Sequence, residues 1–89
     1  MKAVITVIGK DTVGILSKVS TACAEVGVNI IEVTQSVLQE MFAMIMLADI
    51  GAATVPFDRL QKNLEKVGDE NNLKIHVMHE DIFNSMHKI

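Results

Sequence analysis

The feature that most constrains this chain is a β-branched run that stops at a glycine and restarts as an amphipathic helix. Residues 3–8 have the composition of a strand covered on both faces. Gly9 ends the run, and Lys10-Asp11-Thr12-Val13-Gly14 leads into Ile15-Leu16, where a helix begins. Asp11 or Thr12 can cap that helix by accepting from its first free N–H groups. Gly14 has no side chain, so another backbone or a ligand can come close. The free amides and the helix dipole at this point favour a negative group such as a carboxylate.

The rest of the chain is legible as alternating periodicities. The spacing predicts a first helix over 13–26, with Ile15, Leu16, Val19, Ala22, Cys23 and Val26 on one stripe. Gly27 then stands where a helix ends in a positive φ. Residues 29–38 read as a second strand, with Ile31, Val33 and Val37 on one face and Glu32, Thr34 and Ser36 on the other. Gln39-Glu40 turns the chain, although neither residue favours the positive φ of a two-residue hairpin. A third strand over 41–50 is apolar on both faces and asks for cover on both. Pro56 fits the first turn of a second helix, which Phe57, Leu60, Leu64 and Val67 continue to an end at 68–72. A fourth strand covers 73–78. Residues 80–89 form a short amphipathic helix carrying Ile82, Phe83, Met86 and Ile89.

This order, βαββαβ plus a terminal helix, predicts an α+β, ferredoxin-like fold. Its sheet has four antiparallel strands, with two helices on one face. A length of 89 residues allows one domain, 1–89, with its core in about 1–78. The net charge of −3 is the wrong sign for non-specific nucleic-acid binding. The single cysteine, Cys23, excludes a disulfide within the chain and reads as a small core hydrophobe. The apolar run before Gly9 is too short for a secretory signal, so none is expected, and no stretch approaches the roughly 18 apolar residues of a membrane span. A cytoplasmic protein with no membrane partner is expected.

Several chemistries common on this architecture lack their residues here. The only arginine is Arg59, on the second helix, so the first loop has no phosphate-binding arginine. One cysteine cannot make the C-x-x-C of a metal carrier. Phe42 is the only aromatic on the strands that an RNA-recognition sheet would load with rings. His76, His79, Glu80, Asp81 and His87 cluster late in the chain but match no metal-ligand spacing. They read as solvated residues of an edge strand and a polar helix face. No catalytic set, metal site or cofactor is assigned.

The pattern G-K-D-x-x-G-I-L at residues 9–16, followed after one helix by Val28-Asn29-Ile30, resembles the ACT domain. The likeness is to small stand-alone ACT proteins of bacteria and archaea related to the glycine-cleavage repressor. It implies a non-enzymatic regulatory module binding a small ligand, an amino acid, at a subunit interface. It also implies the site residues. Asp11 would meet the ligand's ammonium, and the amides around Thr12, Val13 and Gly14 its carboxylate. Asn29, often presented by a neighbouring subunit, would donate and accept, and Ile30 would line the pocket. Some serine-binding relatives have a histidine where Gly9 stands, which argues against serine. Read from the residues alone, Asp11 can equally serve as a cap, Gly14 as a packing glycine and Asn29 as a turn residue. A ligand-free module docking on a separate protein is the competing function.

An apolar third strand and four apolar residues in the terminal helix exceed what one small core can bury. A homodimer is expected, with residues 80–89 taking part. Its sheets could join face to face or edge to edge. The competing arrangement is a monomer whose tail folds over its own sheet.

Overall fold

Period-two and period-3.6 patterns become two layers. The computed structural model describes residues 1–10 and 14–86, with Leu38 by its backbone alone. Among these the chain runs β1 (Lys2–Gly9), α1 (Ile15–Glu25), β2 (Asn29–Leu38), β3 (Met41–Asp49), α2 (Phe57–Glu70), β4 (Lys74–His79) and α3 (Glu80–Met86). The strands form an antiparallel sheet in the order β2-β3-β1-β4, as two interleaved βαβ crossovers require. The architecture is the ferredoxin-like one read from the sequence.

The core lies between the sheet and α1 with α2. Ala3, Ile5 and Val7 of β1, the β3 set Phe42, Met44, Met46 and Ala48, and Ile75 and Val77 of β4 face Val19 and Cys23 of α1 and Leu60 and Leu64 of α2. With no Trp or Tyr available, unbranched methionines fill the centre. Cys23 is fully buried among them, and burial pushes its thiol from the ordinary 9.0 up to about 11.

Details of the strands and turns depart from the sequence reading for physical reasons. Gln39 adopts a φ of 56°, so the hairpin is closed by a residue that does not favour that region. β2 carries a bulge between Ile30 and Glu32. Ile31 is thus the extra residue, rather than a member of the Val33 face, and Val33, Gln35 and Val37 stand opposite Met46, Met44 and Phe42 on the helix side. Pro56 is the N-cap of α2 rather than part of its first turn. That helix ends at Glu70, within the 68–72 read from the sequence, and the turn before β4 lies against it at Gly68. The Leu73 N–H donates to Gly68 O at 2.8 Å, and a Cβ on Gly68 would lie 2.7 Å from Leu73 O.

The far face of the sheet is half covered. α3 folds back across it against β1 and β4, so the terminal segment packs on its own sheet. Val4, Ile45, Leu47 and Phe83 line a cavity of about 190 Å3 beneath α3, and Val4 is buried there. β3's outer residues Met41 and Ile45 each remain 42% exposed, and Ile82 and Met86 of α3 stay exposed too. The expected continuation of α3 through His87 and Ile89 lies outside the described residues.

Candidate functional site: the start of α1 and the head of β2

Gly14 stands at the N-cap of α1 with φ 72°. The cap position therefore carries no side chain. Asp11 and Thr12, the two capping candidates, lie outside the described residues with Val13. Gly14 O accepts from Lys18 N at 3.0 Å, the first turn of the helix. The N–H groups of that turn have no intrahelical acceptor, as at any helix start. Among the described residues, a Cβ on Gly14 would meet only Lys18 Cε, at 3.9 Å. Backbone conformation therefore requires glycine here, and no described residue crowds the position.

The first turn of α1 is fixed from below. Lys18 Nζ donates to Asn71 Oδ1 at 2.6 Å, and Asn71 Nδ2 donates to Val67 O at 2.7 Å. This side-chain pair ties the head of α1 to the tail of α2. The sequence offered no signal for it: Lys18 reads as one more solvated helix residue, and its partner lies 53 positions away. Asn72, next to it, holds a φ of 57°.

Asn29 and Ile30 stand at the other end of the sheet. Gly9, where β1 runs into the loop, pairs with Phe42, and Asn29 pairs with Asp49. Phe42 and Asp49 are seven positions apart along β3, about 23 Å of strand. Within one chain the start of α1 and Asn29 are therefore not brought together. Asn29 is exposed, and Ile30 packs partly against the core.

The late polar cluster also separates. His76 is exposed on the far face, opposite Thr6. His79 is not simply solvated: it is half-buried and stacks on Phe57, ring centroids 3.9 Å apart at 17°. Among the described residues, no three His, Cys, Asp or Glu side chains stand where they could hold a metal ion. Among the same residues, no helix is long and apolar enough to cross a membrane.

A four-stranded ferredoxin-like sheet with a glycine-started helix after its first strand is the architecture of a class of small α+β domains. The ACT domain family model matches residues 2–78, and the chain belongs to that family. A UPF0237 protein of Listeria innocua is 46% identical over the whole of both chains. The solved ACT domain protein of Streptococcus pneumoniae superposes with a TM-score of 0.82 at 40% identity, covering 93% of each chain. A candidate glycine cleavage system transcriptional repressor superposes with a TM-score of 0.70 at 26% identity, over 85% of this chain and 43% of that one.

Proposed function

We propose that this chain is a non-enzymatic regulatory module, acting in the cytoplasm, that binds a small amino acid between two copies of itself. The loop residues Asp11, Thr12 and Val13 with Gly14 of one copy would hold the ligand's charged ends. Asn29 and Ile30 of the second copy would complete the pocket. Binding would act by favouring one arrangement of the pair over another.

One observation carries this reading: Gly14, at the start of α1, and Asn29, at the head of β2, stand at opposite ends of one sheet. About 23 Å apart, they can share a ligand of amino-acid size only if a second chain runs antiparallel to the first. β2 is the edge where that can happen. It is ten residues long, and among the described residues no hydrogen bond reaches its outer side. Pairing β2 with its own copy about the middle of the strand brings each Asn29 alongside the other chain's Val37, the end from which the loop departs. It also shields Val33 and Val37, which face the helix layer yet remain 37% and 68% exposed.

Thermal shift against the proteinogenic amino acids tests the ligand. At 100-fold its dissociation constant a ligand adds about 2.7 kcal/mol. No shift from any of them at millimolar concentration would remove the reading. Subunit mixing tests the shared site. Asp11→Ala and Asn29→Ala should each abolish the shift, and mixing the two variants should restore it at one site of each mixed pair. A site built within one chain would show no such rescue.

The second reading is a ligand-free module that docks on a separate protein. The exposed far-face residues Met41, Ile45, Ile82 and Met86 favour it. Recovery of one stoichiometric partner regardless of added amino acid would support it.

A further inference from the structure

We propose that a pocket at the loop end of the sheet, reaching from the turn after α2 onto the far face, binds a small organic anion, a carboxylate or phosphate attached to an apolar group. The pocket has a volume of about 470 Å3 and is lined by Ile8, Gly9, Lys10, Met41, Asn71, Asn72 and Lys74. That volume is within the range of small-molecule sites. It adjoins the loop of the site proposed above, since Lys10 precedes Asp11 and Asn71 holds Lys18 of the first turn of α1, and it differs from that site in Lys74, which, paired with Ile8, stands on the face away from α1 and α2.

The chemistry of the lining names the ligand. Among the described residues that line it, the ionisable side chains are two lysines, Lys10 and Lys74, in a chain where Asp and Glu outnumber Lys and Arg by 11 to 8. A third ammonium, that of Lys18, is held against the wall by Asn71. Ile8 and Met41, 37% and 42% exposed, supply an apolar floor between the cations. An anion alone would leave that floor wet, and an apolar molecule alone would leave the lysines without a counter-charge. A ligand with both parts satisfies both.

The walls are held in place. A side chain on Gly9 would run into Leu73, so the end of β1 and the turn before β4 touch directly. Asn71 spends its side chain on Lys18 and Val67. Asn72 turns the chain towards β4 in the left-handed region, which asparagine adopts more readily than most residues. Ligand binding then orders little besides the lysine side chains, which limits its entropic cost.

The test is a titration of the intact chain with phenyl phosphate, benzoate and inorganic phosphate, followed by the NMR signals of the Ile8 and Met41 methyl groups. The expected result is a saturable shift with phenyl phosphate or benzoate, with inorganic phosphate weaker. Whichever aromatic anion binds tighter identifies the head group. Lys74→Glu, on an exposed strand position, should weaken binding by about tenfold or more while leaving the backbone spectrum intact. Met41→Gln should weaken the aromatic ligands and not inorganic phosphate. Absence of a saturable shift, or an affinity unchanged in Lys74→Glu, would overturn the proposal. The amino-acid shift of the previous section should be indifferent to Lys74→Glu, so the two readings fail separately.

Discussion

At one edge of the sheet β4 is six residues long, begins on a lysine, and has α2 laid against it closely enough to exclude a Cβ at Gly68. Gln61 of α2 donates to Val77 O at 2.9 Å, so a main-chain acceptor of β4 is already engaged. At the other edge β2 is ten residues long, and no side chain or loop among the described residues bonds to its outer side. It presents Ile31, Val33 and Val37 to solvent. Edge strands that must stay unpaired are commonly kept short, charged or covered. β4 has all three protections. β2 has a bulge at Ile31 and polar residues on its far side, and little else. The difference argues that β4 is finished within the chain and that β2 waits for another strand.

The comparison can be broken at several points. Replacing Gly68 with Val puts branched carbon into Leu73 O and Ile75, and should destabilise the fold by about 3 kcal/mol in a denaturant titration. An unchanged midpoint would mean that β4 is not sealed by α2. Cys23 reports on α1, the helix packed on β2. Above pH 9.0 the unfolded chain releases the Cys23 proton, while the folded chain holds it until about pH 11. Stability should therefore fall in that window, by about 1.4 kcal/mol per pH unit, with no contribution from this group below it. A thiol that reacts readily at pH 8 without unfolding would show that α1 opens beside the bare edge.

Charge placed on β2 should act on assembly. Val33→Lys with Val37→Lys should weaken the dimer by about 2 kcal/mol or more, read by light scattering over a dilution series, while His76→Lys on β4 should leave it unchanged. Equal effects at the two edges would end the distinction. The smallest effect is expected from Gln61→Ala, which releases Val77 O and should cost about 1 kcal/mol in the same denaturant titration.

Much of the fold could be read from the sequence because each element repeats its signal several times over. The residues at 42, 44, 46 and 48 predict one buried face, and the stripe through Val19 and Cys23 predicts another. What could not be read depends on single residues or on distant pairs. Gln39 closes the hairpin against its own preference, since the ladders on either side fix the chain there. The bulge at Ile31 leaves no mark in composition. Bonds such as Lys18 to Asn71 and Gln61 to Val77 join residues that nothing in the sequence relates. For the site, Gly14 and Asn29 were legible as a family pattern, but their separation along the sheet is a property of register.

Hydrogen exchange of the backbone amides as a function of protein concentration tests the central claim most directly. If β2 is the assembly edge, the alternate amides on its outer side should slow as concentration rises through the dimer's dissociation constant, and the amides of β4 should not change. Outer β2 amides that exchange at one rate at every concentration, or protection that appears along β4 instead, would contradict the account.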